Sequence, residues 1–89
     1  MFAIMTVTGV DHTGIIAAVT TELARQNINI LDVSQTIMDN FFTMILRVEF
    51  DDSATDISSI QEKMTSVEQA ENLVIRIQSE AIFSAVNEL

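Results

Sequence analysis

The segment Thr8-Gly9-Val10-Asp11-His12-Thr13-Gly14-Ile15 is the part of this 89-residue chain best suited to chemistry. It lies between a run of strand formers and an amphipathic stretch, so it leads into the N-terminus of a helix. Such a terminus offers unpaired N–H groups and a positive dipole end, and it receives anions such as a carboxylate. Gly14 lets backbone or ligand approach without a Cβ in the way. Asp11 supplies the complement, a carboxylate that accepts hydrogen bonds from an ammonium group. A carboxylate beside an ammonium is an α-amino acid. The competing reading is local: Gly9 sets a turn and Asp11 caps the helix.

The other candidates point to structure. His12 is the only histidine; its ordinary pKa suits a switch or a general base, but a lone loop histidine reads first as solvated. Asp11 and His12 are too few for a metal site, and no later His or Cys completes one. Asp51 and Asp52 resemble an acid–base pair, yet they precede a helix and read as capping residues. Glu62, Glu68 and Glu71 read as a solvated acidic face, and the five methionines as core filler. There is no cysteine, which excludes disulfides, thiolate ligands and cysteine nucleophiles. No metal or other cofactor is implied.

Thirteen acidic against four basic residues give a net charge of −9 and a pI near 4.1. That balance speaks against nucleic acid as a partner, which needs clustered Lys and Arg, and against adsorption to an anionic membrane. No apolar run approaches the roughly 20 residues of a membrane helix, and no signal peptide is visible. The expected location is cytoplasmic. With 48% apolar residues the chain has material for one core, and its length allows a single domain over residues 1–89.

The elements that must position the loop follow from periodicity. Residues 2–8 read as a central strand, apolar on both parities. Residues 14–26 read as a helix with Ile15, Ile16, Val19 and Leu23 on one face. Residues 28–38 look extended, but Ile28 and Ile30 take one phase while Val33 and Ile37 take the other. A bulge near Leu31 or Asp32, or a strand that begins only there, resolves the conflict. Asp39-Asn40 reads as a turn. Residues 41–50 are the clearest strand, with Phe42, Met44, Leu46, Val48 and Phe50 on one side.

Residues 51–56 are suited to a helix start, and Ile57, Ile60, Met64 and Val67 form one helical stripe. Residues 68–72 read as a polar connection. Leu73, Ile75 and Ile77 alternate with Val74, Arg76 and Gln78 as a final strand. The tail from Glu80, with Ile82, Phe83, Val86 and Leu89, reads as a short amphipathic helix. This order is the split βαβ, α+β ferredoxin-like arrangement: an antiparallel sheet, in spatial order 4-1-3-2, with two helices on one face. Ile4, Ile45 and Val74 then face the other side and hint at a partner.

Gly9-Val10-Asp11-His12-Thr13-Gly14-Ile15-Ile16, after a strand and opening a helix, resembles the first-loop motif of ACT domains, whose usual form is Asp-Arg-Pro-Gly and two aliphatics. Asn27-Ile28-Asn29-Ile30 resembles that family's Gly-apolar-Asn-Ile step into the second strand. Asp32-Val33-Ser34-Gln35-Thr36, Phe42-Thr43-Met44 and Ile77-Gln78-Ser79-Glu80-Ala81-Ile82-Phe83 are similar to the short standalone bacterial members. The resemblance covers nearly the whole chain. It implies a regulatory module that binds an amino acid or similar small molecule, usually at a subunit interface. By position, Asp11, His12, Thr13, Gly14 and Ile15 would contact the ligand from one subunit. Asn29, Ile30 and Leu31 would contact it from the neighbour. The chain departs from the motif at His12 for Arg and Thr13 for Pro, which removes a permanent charge and restores a backbone N–H.

The expected function is therefore a non-catalytic homodimer that binds an amino acid. The alternative is an interaction protein that dimerises, or docks on a partner enzyme, without a small ligand. The fold's acyl-phosphate hydrolases need a basic first loop, its metal chaperones paired cysteines, and its RNA readers a basic sheet; this chain has none of these.

Overall fold

The computed structural model describes the backbone of residues 1–87 and the side chains of residues 1–85. The elements run β1 (Phe2–Val10), α1 (Ile15–Arg25), β2 (Asn29–Met38), β3 (Phe41–Glu49), α2 (Ile57–Lys63), α3 (Thr65–Glu71), β4 (Leu73–Ser79) and α4 (Glu80–Asn87). The four strands form one antiparallel sheet in the order β2-β3-β1-β4, the arrangement expected from the alternating periods. Val86 and Leu89, two apolar positions read in the tail, lie outside the described side chains.

One sheet face builds the core. Met5 and Val7 of β1, Met44, Leu46 and Val48 of β3, and Ile75 of β4 are fully buried there. Val19 and Leu23 of α1, and Ile60 and Met64 of the second helical segment, close over them. Ile16, expected on that face, is instead 44% exposed. One step of 100° past Ile15 turns it off the core stripe toward β2.

Glycine is scarce, and Asn and Asp take its usual backbone role. Asn27 (φ 58°), Asp39 (φ 55°) and Asn72 (φ 54°) adopt left-handed conformations at the end of α1, in the β2–β3 turn and at the end of α3. These two residue types tolerate that region best after glycine. The parity conflict in residues 28–38 is a bulge: Ile30 pairs with Val48 and Asp32 with Arg47, which leaves Leu31 unpaired.

Three boundaries differ from expectation. β1 continues past residue 8 to Val10, because Gly9 and Val10 still pair with Phe42 and Phe41. The stripe Ile57, Ile60, Met64 and Val67 spans two short helices that meet at Met64. Residues 68–71, read as connection, are the last turn of α3. Glu, Gln and Ala are good helix formers, and their polarity concealed it.

The two sheet edges are treated differently. On β4, Gln61 Nε2 donates to Ile75 O (2.7 Å) and Gln61 Oε1 accepts from Ile77 N (2.9 Å). Glu68 Oε2 accepts from Ile75 N (2.8 Å) and from Arg76 Nη1 (2.9 Å). Side chains of α2 and α3 thus occupy outward-facing backbone groups of that edge, and Glu68 is a structural ligand of β4 as well as part of an acidic face. β2 has no such cover. It is exposed along its length except at half-buried Ile30, because the helical layer stops short of it.

On the second face, α4 packs against β1 and β4. Glu80 Oε1 accepts from Arg47 Nε at 2.6 Å, and the Arg47 guanidinium lies 4.6 Å from the Phe2 ring centre. Ile4 is covered here (9% exposed), while Ile45 and Val74 remain exposed. No helix of the described residues is long and apolar enough to cross a membrane.

Candidate functional site

The first loop is fastened at both ends by backbone geometry. Asp11 N donates to Asn40 O at 2.7 Å, tying the loop to the β2–β3 turn. At the other end Gly14 is the N-cap of α1 with φ 94°. The two glycines serve different needs. A Cβ on Gly9 would lie 2.8 Å from Leu73 Cδ2 and 3.1 Å from Asn72 O, so Gly9 is required by close approach within a strand and sets no turn. A Cβ on Gly14 would meet nothing nearer than Glu71 Oε1 at 4.0 Å; its positive φ is what requires glycine.

Asp11 does not cap the helix. The cap residue is Gly14, which has no side chain to bond the first turn, and that turn contains no acidic residue. The first N–H groups of α1 and the positive end of its dipole therefore face outward without an internal anion. Among the described residues, no hydrogen bond or ion pair engages the Asp11 carboxylate.

His12 is exposed but held. Its Nε2 lies 2.9 Å from Glu71 O and its Nδ1 3.1 Å from Thr13 O. Both partners are acceptors, so only the imidazolium donates to both at once. Glu71 O also belongs to the C-terminal end of α3, where a cation is favoured. These carbonyls, with smaller help from the charges of Glu71 and Asp11, raise the pKa of His12 above the ordinary 6.5. His12 is thus a tie between the first loop and α3 rather than a free solvated side chain.

A cleft of about 470 Å³ opens beside this loop. Asp11, His12, Gly14 and the first turn (Ile15, Ile16, Ala17) form one wall, and Gln35, Ile37 and Phe42 the other. Ile15 is buried, so it offers its backbone; Ile16 and Ile37, at 44% and 52% exposure, offer side chains. Gln35, Ile37 and Phe42 were not among the candidates read from sequence. The signal was the second phase of β2, which places Val33, Gln35 and Ile37 on the helix-covered side of the sheet, beyond the reach of the helices themselves.

Asn29, Ile30 and Leu31 stand elsewhere in the same chain. Asn29 pairs with Glu49 at the far end of β2, whereas Met38 pairs with Phe41 beside the loop. Ten residues of strand, about 30 Å, separate the two groups within one copy. No group of three or more metal-ligating side chains occurs among the described residues.

A UPF0237 protein of Corynebacterium efficiens is 71% identical to this chain over 89 residues, spanning 100% of both. The solved structure of an ACT domain protein from Streptococcus pneumoniae superposes with a TM-score of 0.82 at 41% identity, covering 93% of each chain. The ligand-free regulatory subunit of aspartate kinase from Thermus thermophilus shares the fold, with a TM-score of 0.69 at 22% identity over 86% of this chain and 50% of its own. The family model of the ACT domain matches residues 1–78, from the first strand into the last. With the loop, the sheet order and these likenesses in agreement, the chain belongs to the ACT domain family.

Proposed function

We propose that this protein is a non-catalytic regulatory module that binds an α-amino acid at the interface of two copies. The observation that carries the reading is that an uncapped helix start and a carboxylate without a hydrogen bond or ion pair meet at one cleft. The uncapped first turn of α1 calls for an anion, and the Asp11 carboxylate, which His12 feels only through its field, is free to accept hydrogen bonds from a cation. An amino acid brings both, one bond length apart from a common carbon.

The sheet edges support the dimer. β4 is occupied by Gln61 and Glu68, so side-by-side growth of the sheet is open only at β2. Antiparallel pairing of β2 with β2 of a second copy reverses its direction. Asn29, Ile30 and Leu31 of the second copy then approach the Ile37–Met38 end of the first, beside the loop. That is how residues about 30 Å apart in one chain serve a single site. The regulatory subunit likeness agrees with such a role.

The reading predicts a sedimentation mass of twice 9.9 kDa at micromolar concentration. It also predicts a rise in melting temperature with at least one of the twenty amino acids. Asp11→Asn removes a charge-assisted hydrogen bond worth roughly 1.5–3 kcal/mol, so calorimetry of that variant shows a Kd raised by tenfold or more. Asn29→Ala weakens binding too while the dimer stays intact. Unchanged affinity in both variants places the site elsewhere. A second reading rests on Phe41, Ile45 and Val74, exposed on the sheet face that α4 leaves open. They suit a protein partner, and an absence of binding by any amino acid at millimolar concentration favours that reading.

A further inference from the structure

Resting on the amino-acid reading of this cleft, the structure assigns the ligand a class: we infer an α-amino acid with an uncharged apolar side chain, its chain packed between Ile16 and Ile37 over Phe42.

The argument is one of what the cleft holds and what it lacks. Past the loop, its surface consists of Ile16, Ala17, Ile37 and Phe42, with Gln35 as the one polar side chain on that wall. Ile16 and Ile37 come from different elements and leave about half of each side chain in water. Burying them is a gain only an apolar group provides.

Charge speaks against the charged classes. The chain has four Lys and Arg, and none lines this cleft. Arg47 and Arg76 are engaged by Glu80 and Glu68. The remaining cation candidate, His12, has both ring nitrogens turned to carbonyl oxygens. An acidic ligand side chain therefore finds only the His12 imidazolium, whose N–H groups are already directed to carbonyl oxygens, and meets a chain of net charge −9. A basic side chain fares little better. Asp11 is the one carboxylate on the cleft wall, and the ligand's α-ammonium already requires it. A phosphorylated ligand asks for more donors and positive charge than one helix start supplies.

The expected selectivity follows from transfer of methylene groups. Each buried CH₂ is worth about a fourfold change in Kd, the equivalent of ~0.8 kcal/mol. Leucine carries three more carbons than alanine, so it should bind at least about tenfold tighter.

The test is calorimetry on the intact protein with glycine, alanine, valine, leucine, aspartate, glutamate, lysine and arginine, repeated with Ile37→Ser and Ile16→Ser. Both positions are half exposed, so the variants keep the fold, which circular dichroism and sedimentation verify. The result expected is a Kd that falls from glycine through alanine to leucine, with the four charged amino acids no tighter than alanine. The two variants should bring leucine to within about threefold of alanine. Charged amino acids that bind as tightly as leucine, or a leucine-to-alanine ratio untouched by both variants, overturn the apolar class and leave the amino-acid reading standing. Binding of none of the eight overturns the apolar class, and binding of none of the twenty in the melting-temperature scan overturns the amino-acid reading as well.

Discussion

Gly9 and Gly14 bracket the first loop, and replacing each by alanine separates two physical reasons for glycine. At Gly9 the added methyl meets Leu73 Cδ2 at 2.8 Å and the backbone oxygen of Asn72 at 3.1 Å. Leu73 is buried, and Asn72 is held left-handed as the cap of α3, so neither yields freely. Overpacking of this kind costs about 1–3 kcal/mol. Against that, alanine lowers the entropy of the unfolded chain, a gain of about 0.4–1 kcal/mol. The net is a loss of about 1–2 kcal/mol. At Gly14 there is space, but φ is 94°. A left-handed alanine costs about 1–2 kcal/mol, and the same unfolded-state gain leaves a net loss of about 0.5–1 kcal/mol. The two losses are too similar to separate by alanine alone. Asparagine separates them: Gly14→Asn should recover most of the loss, since asparagine tolerates positive φ. Gly9→Asn should be worse than Gly9→Ala, since it adds bulk where space is the constraint. Urea denaturation at one fixed protein concentration reads all four, with about 4–8 °C in Tm for each kcal/mol as a cross-check. A Gly9→Ala protein as stable as the parent, or a Gly14→Asn protein no better than Gly14→Ala, refutes the assignment.

The remaining predictions concern other parts of the fold. The His12 pKa is raised in the folded state, so its contribution to stability is complete below the ordinary 6.5 and lost as pH rises through the folded value. His12→Gln should abolish that dependence, and proton NMR follows the titration directly because the chain has one histidine. Glu68→Ala leaves Ile75 N without its partner and should cost about 1–3 kcal/mol by urea denaturation, with larger assemblies appearing in sedimentation as the β4 edge opens. Leu46→Ala, at a fully buried position, should cost about 2–5 kcal/mol by the same assay. Val33→Ala, on exposed β2, should leave monomer stability nearly unchanged and weaken self-association.

What the sequence revealed and what it hid divide along a physical line. The strand 41–50 and the bulge at Leu31 are properties of side-chain parity, and parity is written in the order of residues. The turn at Asp39 was legible in the same way, since aspartate tolerates positive φ, whereas left-handed Asn27 and Asn72 were not singled out. Gly9 was misread because its reason lies in Leu73 and Asn72, 63 or more positions away. Glu68 and Gln61 looked like ordinary polar residues of a helix surface. Only the placement of α2 and α3 beside β4 gives their side chains backbone groups to bind. The cleft was hidden for a related reason. Alternation put Val33 and Ile37 on one phase of the strand, but how far the helices extend across the sheet is not a local property.

In the proposed function, that shortfall of helical cover joins binding to association. β2 presents three things at once: Ile37 and Gln35 to the cleft, a free backbone edge to a neighbour, and Asn29 at the end a reversed neighbour would bring to the loop. In the proposed dimer a ligand in the cleft touches both copies. Whatever factor the dimer adds to ligand affinity, the ligand must then add to the stability of the dimer, since the coupling is reciprocal. The closed β4 edge is what makes this coupling productive. With both edges open, added strands would continue into a filament, whereas a single open edge pairs once about a twofold axis and stops. In that proposed assembly Gln61 and Glu68, remote from the cleft, limit the response to ligand to a dimer of defined size.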